Sequence, residues 1–127
     1  MNSKYLMLPA LLGLMLFNSP SLMAGTAIQE MAGIMLQLQY SPSTSDKETL
    51  LNIANDSTSS DDECIVAMAL MRVQHSVTDS EKTVLLGIAD NSQGPAGIRT
   101  VASILANMYD MPSEADRVAL ESIEQSN

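Results

Sequence analysis

From residue 27 onward apolar residues recur at steps of three and four, the spacing of one helical face, and they do so in segments that repeat. Residues 45–56, SDKETLLNIAND, return at 80–91 as SEKTVLLGIADN, offset by 35 residues without a gap and identical at six of twelve positions. A fainter copy at 115–126, ADRVALESIEQS, keeps the leucine as Leu120 and the isoleucine as Ile123. The same offset aligns residues 27–39, 62–74 and 97–109. Their apolar columns are Met31, Val66 and Val101; Ala32, Ala67 and Ala102; Met35, Leu70 and Leu105; and Leu38, Val73 and Met108. The second set of segments has its own columns in Leu50, Leu85 and Leu120 and in Ile53, Ile88 and Ile123. Each 35-residue unit therefore predicts a first and a second amphipathic helix, giving six helices in three hairpins.

The predicted starts carry their own marks. Ser43 with Asp46, Thr78 with Glu81, and Ser113 with Asp116 each place a hydroxyl three residues before an acid, the reciprocal arrangement that satisfies free N–H groups at a helix start. Ser60 with Glu63 and Thr26 with Gln29 mark two first helices, and Gly94 with Pro95 marks the third. Short connections at 41–43, 76–78 and 111–113 join the helices of a unit, with Pro42 and Pro112 as terminators; strand signals are lacking. Hairpins of this kind cannot bury their apolar faces alone, so three must share one core. The expected fold is all-α, three stacked helical hairpins forming a short right-handed α-solenoid or a compact helical bundle. Glu121 and Glu124, which replace the Leu51/Leu86 and Ala54/Ala89 columns, predict a polar cap at the last helix.

The N-terminus changes the picture of where the domain begins. Lys4, an apolar run over 5–17, and a polar stretch with Pro20 leading to Ala24 have the three-part layout of a secretory signal peptide. The run is shorter than the roughly 20 residues of a spanning helix. We expect cleavage after Ala24, a single domain over residues 25–127, and a periplasmic location without membrane attachment. Beyond residue 24 there are five basic residues against fifteen acidic ones, a net charge of −10. That balance disfavours nucleic acid and anionic membranes as partners and would attract a basic protein. The lone Cys64 cannot bridge within the chain, which leaves burial as a small hydrophobe or a disulfide to another chain.

Candidate chemistry is sparse. One histidine and one cysteine are present, with no phosphate loop and no zinc-ligand spacing. Cys64 and His75 would stand about 16 Å apart on an unbroken helix, too far for a nucleophile and its base. The acidic turn that begins at Asp56 lacks the glycine at the sharp turn and the glutamate at the twelfth and last position that an EF-hand loop uses. No enzyme and no cofactor are expected. Methionines are frequent, and Met68, Met71 and His75 form a soft-ligand set that could hold Cu(I), although Met31, Met35 and Met108 fall in core columns, where methionine is a flexible filler.

Two polar columns on the first helices remain: Gln37, Arg72 and Asn107, and beside them Gln39, Gln74 and Tyr109. A polar row with a tyrosine is a candidate contact strip. The passage LLGIADNS, a turn, then IRTVASIL resembles a HEAT-like helical repeat, with Asp90, Arg99, Ala102 and Leu105 in the matching places and Cys64 where the middle unit would carry the arginine. That resemblance implies a protein-binding scaffold. The expected function is a non-catalytic protein–protein interaction module; an inhibitor or immunity-type protein for a cationic periplasmic enzyme, and a methionine-based Cu(I) carrier, are the alternatives. Self-association is the further option that the repeat leaves open.

Overall fold

The structure, a computed structural model, describes residues 20–126, with side chains from residue 26. It contains six helices: α1 (Pro20–Leu36), α2 (Thr44–Asn55), α3 (Asp61–Arg72), α4 (Asp79–Asp90), α5 (Ala96–Asn107) and α6 (Glu114–Glu124). Among the described residues there is no strand. The predicted caps are formed: Ser60, Thr78 and Ser113 close full capping boxes with Glu63, Glu81 and Asp116, while Ser43 accepts from the Asp46 N–H alone. Pro95 is itself the N-cap of α5, one residue before its expected place inside the helix. No helix in the described residues is long and apolar enough to cross a membrane.

Helix α1 departs from expectation. It starts at Pro20 instead of Thr26 and runs through Ala24. Pro20 suits a first helical position, and once a helix exists each added residue gains a bond cheaply, so Ser21 to Ala24 extend it. The 35-residue offset also pairs Ser60 with Gly25, one residue before the expected cap at Thr26. The apolar part of the assigned leader, 5–17, lies outside the described residues.

The way the helices pair differs from simple hairpins. The extensive contacts join α2 to α3, α4 to α5, and α6 to α1, whereas the helices of one unit touch sparingly. The inner helices α1, α3 and α5 also touch one another, with α2, α4 and α6 outside. The third pair has no loop between its members, and it joins the first and last described helices. Its direction is antiparallel: Gln29, midway along α1, donates its side-chain amide to the Ser126 carbonyl just beyond α6, and Arg117 Nη1 near the start of α6 donates to the carbonyl of Leu36 at the end of α1, at 2.8 Å.

That seam matches the other two. Gln29, Cys64 and Arg99 stand at one position of the repeat. Cys64 Sγ donates to the Ala54 carbonyl at 3.4 Å and Arg99 Nε to the Ala89 carbonyl at 3.2 Å, as Gln29 does to Ser126. An amide, a thiol and a guanidinium thus each satisfy a free carbonyl at the end of the neighbouring outer helix. The three units close into a ring with approximate three-fold symmetry. Of the two arrangements expected, the compact bundle is the one observed. Glu121 and Glu124 are exposed as expected of a polar end, yet α6 packs on α1 and is not a free end.

The predicted columns form the core. Met31, Met35, Leu50, Val66, Leu70, Leu85, Val101, Leu105 and Leu120 are fully buried, and Ile123 is partly so. One polar residue joins them. Glu63 is 2% exposed and stands where the other units place Ile28 and Ile98. Burial raises its pKa above 4.5, outweighing the Ser60 bonds that lower it, with Asp56 adding to the rise. A raised carboxyl pKa weakens the fold while the group is ionised, and this loss is recovered as pH falls through the folded value toward 4.5. Asp56 and Glu81 shift the other way. Asp56 is held down by the Thr58 backbone and side chain; Glu81 is raised by desolvation but more strongly lowered by Thr78 and Arg72. Their contributions are lost only as pH falls below the ordinary carboxylate values. Glu63→Gln is therefore expected to be more stable than the parent at pH 7, with the gap in melting temperature closing by pH 4.5. A constant gap across that interval would show that Glu63 is not buried as an anion.

Candidate functional site

Each unit turns from its inner helix to its outer helix in six or seven residues, 37–43, 73–78 and 108–113, and these three turns meet at one end of the ring. At their centre are Tyr40, His75 and Asp110, one from each unit, all with positive φ (53°, 67° and 67°) and none of them glycine. Each is the middle of a γ-turn: Ser41, Ser76 and Met111 donate back to the carbonyls of Gln39, Gln74 and Tyr109 at 2.7, 2.7 and 2.8 Å. The central residues then bond one another in a cycle. His75 N–H donates to the Tyr40 carbonyl at 2.7 Å, Asp110 N–H to His75 at 2.6 Å, and Tyr40 N–H to Asp110 at 2.7 Å. Pro42, Val77 and Pro112 are buried beneath them.

The side chains of this cycle carry most of the protein's unusual chemistry. His75 stacks on Tyr40 with centroids 4.9 Å apart and on Tyr109 at 5.8 Å, and its Nδ1 lies 2.6 Å from Asp110 Oδ1. There is no tryptophan, and beyond residue 17 Tyr40 and Tyr109 are the only aromatic residues. Both are exposed, Tyr40 by 53% and Tyr109 by 68%, with Met111 at 51% beside them. Among the described residues no aromatic ring belongs to the core. Aromatic area is ordinarily placed in cores or at interfaces. Non-glycine residues at positive φ also cost of order 1–3 kcal/mol each, a cost found where side chains are used.

The six candidate contact residues are all exposed and lie at this end, because the two polar columns fall at the last turns of α1, α3 and α5 and just beyond. Closure arranges them around the apex instead of along an open strip. Gln39, Gln74 and Tyr109 flank the cycle. Arg72 is paired with Glu81 at 2.9 Å and Asn107 Nδ2 bonds the Ser103 carbonyl at 2.9 Å, so these two also serve local structure. Gln37, Gln39, Tyr40 and Asp46 line an open groove beside the first turn. Tyr40 and Asp110 were not among the expected residues. Their signal was the crowding of all three rings into two adjacent repeat columns, 39/74/109 and 40/75/110.

The low-ranking metal and nucleophile sets are placed differently. Met68 is half-buried, Met71 packs against the core, and Nδ1 of His75 is already held by Asp110. Among the described residues no three His, Cys, Asp or Glu side chains are grouped to hold a metal. Cys64 is half-buried in the first turn of α3, and His75 lies beyond the opposite end of that helix. Burial raises the Cys64 thiol pKa above 9.0, with Asp61, Glu63 and Asp56 adding to it, so the thiolate is scarce. Comparison with family models, with curated proteins and with solved structures finds no match to this chain, and the site stands on its own residues.

Proposed function

We propose that this protein is an exported, non-catalytic protein–protein interaction module that docks through the apex formed by Tyr40, His75, Tyr109 and their flanking glutamines. The observation that carries this reading is the placement of every aromatic ring beyond residue 17 on one exposed face instead of in the core. The leader-like pattern of residues 1–24 supports export to the periplasm, and the net charge of −10 beyond it favours a basic partner. Within this reading an inhibitor or immunity-type protein for a cationic enzyme is the specific form best suited to size and charge. The HEAT-like rhythm of Asp90, Arg99, Ala102 and Leu105 agrees with a scaffold role: Arg99 ties α5 to the end of α4 through the Ala89 carbonyl.

Affinity capture from periplasmic extract tests the docking face. A stoichiometric partner is expected with the native protein and is expected to be lost with Tyr109→Ala, while Val84→Ser, on the outside of α4, retains it. Retention of the same partner by both variants would remove the apex from the interaction. Arg72→Glu is a poor probe, since it would also break the Glu81 pair.

A further inference from the structure

We infer, resting on the docking reading above, that the apex recognises an arginine-bearing segment of a basic protein, the guanidinium lying on the open face of Tyr109 or Tyr40. Three observations lead there.

First, the rings are used on one side only. His75 is sandwiched by the two tyrosines, so each tyrosine spends one face on the imidazole. With Tyr109 68% and Tyr40 53% exposed, the outward faces meet solvent. A planar cation is the group that gains most from a bare tyrosine face, and guanidinium stacks there better than ammonium.

Second, the polar groups around those faces are acceptors. Asp110 keeps a second carboxylate oxygen beyond the one held by His75, and its side chain is 43% exposed. The groove beside Tyr40 adds the Gln37 and Gln39 amides and the Asp46 carboxylate. A guanidinium offers five donors in a fixed fork, and an acceptor-rich rim beside an aromatic face satisfies them.

Third, the protein's own arginines do not occupy this role. Arg72 is spent on Glu81, Arg99 on the Ala89 carbonyl and Arg117 on the Leu36 carbonyl. The surface a partner meets is therefore dominated by carboxylates, all of the fifteen except the buried Glu63 lying outside the core. That field steers a basic segment toward the molecule, and the aromatic apex supplies the short-range selection.

The test is an amide-resolved NMR titration of the protein with the acetylated, amidated peptide Gly-Arg-Gly-Arg-Gly. Its lysine analogue, its neutral citrulline analogue and chitohexaose serve as comparisons. The arginine peptide is expected to shift the amides of residues 39–41, 74–76 and 109–111, the lysine peptide to bind several-fold more weakly, and the citrulline peptide and the sugar to leave them unmoved. Tyr109→Ala and Asp46→Asn are each expected to weaken the arginine peptide about threefold to tenfold. Equal binding of the citrulline peptide, apex shifts with chitohexaose alone, or arginine binding indifferent to both variants would overturn the inference. If the arginine peptide fails while Tyr109→Ala still loses the captured partner, the docking face stands and the arginine chemistry falls.

Discussion

Leu120→Ala is expected to lower stability by about 3 kcal/mol, as much as Leu85→Ala in the middle unit. Leu120 belongs to the last helix, and in an open stack it would face its neighbour on one side only. In the ring α6 packs on α1, and Leu50, Leu85 and Leu120 are all fully buried. Each leucine truncated to alanine loses the same transfer free energy and leaves a similar cavity. For a domain of this size, a loss of that magnitude lowers the melting temperature by roughly 15 °C. Val118→Ala, two residues earlier on α6 at a position 68% exposed, serves as the control and should stay within about 0.5 kcal/mol of the parent. Denaturant unfolding of the three variants decides the matter. A Leu120→Ala cost below about 1 kcal/mol, beside a full cost for Leu85→Ala, would mean that the ring is open at its unlinked seam.

His75→Pro is expected to be the most damaging single change at the apex, costing about 3 kcal/mol or more. Proline holds φ near −65°, whereas His75 sits at 67°, and proline lacks the N–H that His75 gives to the Tyr40 carbonyl at 2.7 Å. The substitution therefore breaks one link of the cycle and forces the γ-turn to unfold. His75→Asn separates backbone from side chain: asparagine tolerates positive φ and keeps the N–H, but gives up the tyrosine stack and the Asp110 contact. We expect His75→Asn to fall within about 1 kcal/mol of the parent, because exposed ion pairs and stacks contribute little. Urea midpoints for the two variants provide the comparison. Similar midpoints would show that the backbone cycle contributes nothing to the fold.

Most of the helical architecture was legible from the residues. The columns of Met31, Leu70 and Leu105 or of Leu50, Leu85 and Leu120 name core positions because a side chain of fixed size recurs at a fixed phase. Ser60, Thr78 and Ser113 mark helix starts because capping is a local interaction within four residues. The pairing of α6 with α1 was not legible. An open stack and a closed ring are built on the same columns, and the difference lies in the rotation from one unit to the next, which no single residue encodes. The seam donors show the same difficulty, since Gln29, Cys64 and Arg99 share a job and no chemistry. The apex was half visible. Tyr109, Gln39 and Gln74 stood out as a polar column, but Tyr40, His75 and Asp110 are joined through backbone atoms, which leave no mark on side-chain identity. Their positive φ was hidden for a related reason, since none of the three is the glycine that usually announces it.

Closure also fixes how many units the protein can have. In a linear array a duplicated unit adds one more link and leaves the others as they were. Here a fourth unit would have to enter between α6 and α1, and every seam and the three-membered hydrogen-bond cycle at the apex would need new angles to admit it. Tandem duplication, the event that lengthens most repeat proteins, would therefore meet a geometric stop at three.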